Sequence, residues 1–164
     1  MLLSELIQPD LIKIGLEATD KWEAIEELVD HLISNYELRV DDRSEVIEAV
    51  EARERSLSTG LEHGLAVPHG AVECVTETIT CIGIAKEGIP FDTRDGKPAR
   101  LIVLLIIPKG AFSQHVRTLA GIARLAVNAE FRERILAAKN AEEVIEVIYR
   151  MEANEETATH NRLV

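Results

Sequence analysis

Residues 101–107 read Leu-Ile-Val-Leu-Leu-Ile-Ile, an apolar run without alternation that Pro108 and Gly110 bring to an end. A strand with one face in water alternates apolar and polar residues, whereas a strand covered on both faces does not. The run therefore predicts a central strand with helices packed on both sides. Upstream, 77–85 carries β-branched residues at strand density, and 91–98 is turn-rich with Asp95-Gly96 as its tightest point, so a strand pair joined there is expected. A further short strand is expected at 11–16, after Pro9-Asp10 breaks any helix begun at Ser4. Helical spacing of apolar residues marks 20–34 (Trp22, Ile25, Leu28, Val29, Leu32, Ile33), 43–55, 113–128, 130–138 and 141–152. Asp42 with Glu45 three residues on resembles a capping box at the start of the second helix. The sum is a single-domain α/β fold, a sheet flanked by helices on both faces, over residues 1–153. Residues 154–164 are polar and aperiodic, and a frayed, disordered tail without a role for His160 is expected.

The composition fits one aliphatic core: 164 residues, 46% hydrophobic but only 4% aromatic. With 29 acidic against 18 basic residues the formal charge is −11, which disfavours nucleic acid and anionic membranes and favours basic protein partners. The longest apolar run is far short of the roughly 20 residues that span a bilayer, and no basic cleavable leader is read, so a cytoplasmic protein without membrane insertion is expected. Cys74 and Cys81 read as reduced thiols.

The chemistry is expected in 59–70, Thr-Gly-Leu-Glu-His-Gly-Leu-Ala-Val-Pro-His-Gly, whose glycines, proline and histidine do not read as core filling. Pro68 fixes φ and pushes Val67 into an extended conformation, so 65–67 reads as a short buried strand that ends by presenting the His69 imidazole. Gly60, Gly64 and Gly70 allow positive φ or close approach of another group. On the second helix, Val46, Ala49 and Val50 form the inward stripe; Arg53 continues it, while Arg55 is rotated about 200° away. On the third helix, Val116, Leu119, Ala120, Ala123 and Val127 form one apolar stripe. His115, in its first turn, is in line with Leu119, Ile122 and Ala126, so it turns towards the core near the positive end of the helix dipole.

The ordered series Arg53-Glu54, Ser58-Thr59-Gly60, Gly64-Leu65-Ala66-Val67-Pro68-His69-Gly70, Phe91-Asp92, Gly96-Lys97-Pro98, the run 101–108, then His115 and Leu119, resembles the enzyme IIA domains of the mannitol/fructose class. These belong to the bacterial phosphoenolpyruvate-dependent phosphotransferase system. The resemblance covers nearly the whole chain before Asn154. It implies a mixed β-sheet, a phosphotransferase activity without cofactor or metal, and His69 as acceptor of a phosphoryl group from the phosphocarrier protein HPr. It also implies His115 and Arg53 as supporting residues, and a IIB component or a regulatory target protein as the next partner. The opening Leu-Ile-Gln-Pro-Asp and Asp20-Lys21-Trp22 look like the nitrogen-related regulatory branch.

Physical chemistry supports the same assignment. A neutral imidazole is a good nucleophile at phosphorus, and phosphoryl transfer asks a protein mainly to position the attack and neutralise the equatorial oxygens. Candidate phosphate donors are the Gly64 and Gly70 amides, the Arg53 fork, a neutral His115 and the Thr59 hydroxyl. Glu62-His63 departs from the small or uncharged residues expected in such a loop, and a carboxylate there would repel an incoming phosphoryl group. The alternatives are a metal site built from His63, His69, Cys74 and His115 or Cys81, whose spacings fit no compact zinc pattern, and an interaction domain with an inert histidine.

Overall fold

The computed structural model describes residues 2–163. Five strands, β1 (Ile12–Ile14), β2 (Leu65–Ala66), β3 (His69–Val72), β4 (Ile79–Ile89) and β5 (Ala99–Pro108), form one mixed sheet. Its five α-helices are α1 (Lys21–Ser34), α2 (Arg43–Ser56), α3 (Phe112–Val127), α4 (Ala129–Ala137) and α5 (Ala141–Arg162). β4 and β5 are antiparallel, β1 lies parallel to β4 on one side, and β2 and β3 both lie parallel to β5 on the other.

β5 is central, and its unalternating sequence has the expected cause. Leu101, Val103, Leu105 and Ile107 enter the core beneath α3, α4 and α5, while Ile102, Leu104 and Ile106 enter a second core beneath α1 and α2. Six of these residues, Ile102 to Ile107, have no exposed surface, so neither face offers a place for a polar side chain. Fully burying an aliphatic side chain contributes about 1.5–3 kcal/mol, which makes this strand the main apolar tie between the two layers.

Pro68 divides the extended segment 65–72 in two. It has no N–H to give to a ladder, but its carbonyl accepts from the Leu105 N–H at 3.1 Å, so the chain stays on the edge of β5 and resumes as β3. His69 thus begins a strand that the sequence reading ended just before it. Gly70 is required by packing: a Cβ there would sit 2.9 Å from the Val50 nitrogen, so β3 touches the α2 backbone.

Four other expectations change. α2 buries Val46, Ile47, Val50 and Glu54, with Ala49 only partly covered, so Glu54 and not Arg53 completes the inward stripe. α3 has two apolar stripes, and the buried one is His115, Ile122, Leu125 and Ala126; Val116 and Val127 face solvent. The Asp42 side chain makes no cap bond, and Glu45 instead accepts from the Glu73 N–H. Residues 154–162, expected to fray, continue α5: Thr157 and Thr159 hydroxyls donate to carbonyls one turn back, and Glu155 lies 4.0 Å from Arg124. These are polar contacts that an apolar periodicity search does not register.

Candidate functional site

His69 opens β3 opposite Leu105, and Thr80 on β4 faces Leu105 from the other side. Directly opposed residues share a sheet face, so both lie on the α3 side. The imidazole is only 6% exposed, because the Phe112 ring at the start of α3 stacks on it with centroids 5.6 Å apart and planes 23° apart. The imidazole that the segment was expected to present is therefore covered in this structure.

The ring's two nitrogens have different settings. Nδ1–H donates to the Val67 carbonyl at 2.8 Å; a carbonyl only accepts, so the proton is on Nδ1 and Nε2 carries the lone pair. Nε2 is buried without a partner. Burial is the largest influence on this histidine and pushes its pKa below the usual value; the Val67 hydrogen bond opposes it, the Arg53 charge lowers it further, and the Glu54 charge opposes that. The ring is therefore held neutral with its nucleophilic atom free.

His115 is 4% exposed, and its Nε2 lies 2.6 Å from the Thr78 hydroxyl, while Nδ1 has no partner. Burial lowers its pKa too. Thr80 Oγ1 is the third buried side-chain atom without a hydrogen bond among the described residues. His69, Thr80 and His115 all belong to the α3 side of the sheet, so the polar atoms left unpaired gather on one face. Buried polar groups are nearly always paired, and exceptions concentrated in one place mark a site. Thr80 was legible in principle, because Thr80, Ile82 and Ile84 alternate in one phase of β4, and Thr78 lies one such step before it.

Arg53 is half-buried near the end of α2, and one guanidinium N–H donates to the Leu57 carbonyl at 2.7 Å. Among the described residues no carboxylate lies within ion-pair distance of it, so no side chain neutralises its charge. The carboxylate that is buried there, Glu54, takes a different partner. It accepts from Lys21 at 3.1 Å, from the Thr59 N–H at 3.0 Å and from the Thr59 hydroxyl. Lys21 also reaches Asp92 at 2.9 Å; burial works against its ammonium, but the bonds from Asp92 and Glu54 prevail and its pKa is raised. Sequence reading missed this latch, although Val46, Val50 and Glu54 at four-residue steps put the glutamate in line.

The three other candidate donors have further roles or positions in the structure. The Thr59 hydroxyl is spent on Glu54. Gly70 serves the contact with α2. Gly64 (φ +74) is at the far end of the segment: Leu65 faces Leu101 whereas His69 faces Leu105, roughly 13 Å along the strand. The alternative metal set is not assembled either. Among the described residues, the side chains close enough to share an ion are Asp42, Glu45 and Cys74, and burial, with help from Glu45, pushes the Cys74 thiol up to about 11.

Residues 5–151 match the family model described as phosphoenolpyruvate-dependent sugar phosphotransferase system, EIIA 2. The chain belongs to this EIIA family. It is 30% identical over 146 residues to the PTS system fructose-specific EIIA component of Haloferax volcanii, covering 89% of this chain and 94% of that one. It is 29% identical over 148 residues to the fructose-specific EIIABC component of Bacillus subtilis, covering 90% of this chain but only 23% of that longer relative. The crystal structure of nitrogen regulatory protein IIA-Ntr from Neisseria meningitidis superposes with a TM-score of 0.80 at 30% identity, over 89% of this chain and 98% of the other. The mixed sheet between helical layers is thus the fold of an EIIA protein, and no helix among the described residues is long and apolar enough to cross a membrane.

Proposed function

We propose that this chain, through residues 1–153, is a cytoplasmic phosphohistidine carrier that takes its phosphoryl group from phospho-HPr on His69. One observation carries the reading: the Nδ1–H bond to Val67 leaves Nε2 as a buried, unpartnered lone pair. In the step, this lone pair attacks phosphorus, the donor's N–P bond breaks, and its electron pair returns to the donor histidine. The His69 ring gains positive charge, which its Nδ1–H shares with the Val67 carbonyl; no proton need move. The Arg53 guanidinium and the free Nδ1 of His115, protonated when the Thr78 hydroxyl donates to Nε2, supply charge and hydrogen bonds to the equatorial oxygens. Phe112 must swing aside for the donor and can afterwards keep water from the phosphoramidate. The next recipient is a IIB component or a regulatory target protein; family membership, and relatives named for both fructose transport and nitrogen regulation, support either.

Incubation with phosphoenolpyruvate, enzyme I and HPr should add one acid-labile phosphate, read by intact mass, and His69→Ala should add none. A labelled His69→Ala protein would overturn the assignment of the acceptor, and an unlabelled wild type would overturn the function.

A further inference from the structure

The segment that ends in His69 begins at a second feature that phosphoryl transfer does not use. Beside Gly64 a cavity of about 390 Å³ opens between the start of β5, the β4–β5 turn and α4. That volume lies within the range of small-molecule sites, roughly 300–1,000 Å³. Its floor is apolar, with Leu65, Leu101, Phe131 and Ile135 all buried. Its rim is cationic, formed by Lys97, Arg100 and Arg132 beside His63.

The charges at this rim lack the partners an acidic protein could easily supply. Neither Lys97 nor Arg100 has a carboxylate within ion-pair distance among the described residues, although the chain carries a net charge of −11. Asp95 lies close to this rim, and its carboxylate accepts from the backbone N–H groups of His63 and Lys97. Arg132 gives its guanidinium to the carbonyls of Ala126 and Val127 and contributes charge only. Glu133 is the one carboxylate among the lining residues, and it is exposed. The loop itself is held in place: His63 adopts a left-handed φ of 62°, and the Gly64 carbonyl accepts from both Arg100 and Leu101 N–H groups, at 2.7 and 3.0 Å. Of the Glu62-His63 pair that seemed out of place near a phosphoryl group, His63 therefore lines this separate cavity.

We infer that this cavity binds a small organic anion, a carboxylate or phosphate carried on an apolar body, with the charged group between Lys97 and Arg100 and the body against Phe131. An apolar floor alone would admit neutral ligands and a cationic rim alone any anion, so the combination selects molecules with both features. The site is independent of the phosphoryl-transfer reading.

Amide chemical shifts of the full chain should be followed during titration with phenyl phosphate, benzoate, inorganic phosphate and benzyl alcohol. At least one of the first two should shift Gly64, Lys97, Arg100 and Phe131 saturably and bind at least about tenfold more tightly than inorganic phosphate and benzyl alcohol. The double variant Lys97→Ala/Arg100→Ala should lose at least about tenfold in that affinity while keeping its thermal midpoint and its uptake of phosphate from HPr. Absence of saturable shifts at these residues, shifts centred on His69 alone, or unchanged affinity in the double variant would overturn the inference.

Discussion

The two faces of the sheet bury polar side chains in opposite ways. On the α1/α2 side, Lys21, Glu54 and Thr59 are nearly inaccessible and engage one another in a closed set of hydrogen bonds. On the α3 side, His69, Thr80 and His115 are as deeply buried, yet each keeps an atom without a partner. A satisfied set fixes the backbone, here the turn 58–60 that leads into the His69 segment. An unsatisfied set costs stability until something completes it. The contrast teaches where the fold is held and where chemistry is expected, and it can be attacked from both sides.

The largest effect on stability should come from the closed set. Glu54→Ala leaves the Lys21 ammonium with the exposed Asp92 and a long 3.4 Å bond to the Ser58 hydroxyl, and strips the Thr59 N–H of its acceptor, so about 3–5 kcal/mol should be lost in urea unfolding. A loss below about 1 kcal/mol would mean that the latch is decoration. Arg53→Ala should show the reverse pattern, nearly unchanged unfolding, and both Arg53→Ala and His115→Ala should slow phosphate uptake roughly ten- to a hundredfold, since a charge-assisted donor contributes about 1.5–3 kcal/mol. Equal rates in either variant would remove that residue from the site.

Smaller effects should follow from proton linkage. The folded pKa values of His69 and His115 lie below those of the unfolded chain, so the unfolded state takes up protons first as pH falls. Their contribution is complete above an unfolded pKa of about 6.5 and is lost as pH falls from there through the lowered folded values. Denaturation midpoints between neutral and mildly acidic pH should therefore drop more in wild type than in His69→Asn, and parallel curves would contradict the buried, neutral ring. The smallest change concerns Phe112→Ala, which uncovers the ring and should move the His69 pKa back towards its usual value in an NMR titration. An unmoved pKa would show that other groups account for the burial.

The sequence was most informative where one segment carries the whole reason for its conformation. The 101–107 run required cover on both faces because every side chain along it is apolar, whichever way it points. Pro68 required extended geometry before His69 because its ring restricts its own φ and its predecessor. Helix existence came from periodicity in the same way. What tertiary structure decided were the relations between segments distant in the chain. Periodicity offered α3 two apolar stripes, one with His115 turned to the core and one with Val116 and Val127, and packing buried the first and left Val116 and Val127 in solvent. It put Arg53 and Glu54 at neighbouring angles, and Lys21, thirty-three residues away, made the glutamate the buried one. It made Gly64 and His69 look like one loop, and the extended β2–β3 edge carried them to separate places. A side chain's direction is a local property of the backbone, but its burial and its partner depend on what arrives from elsewhere in the fold.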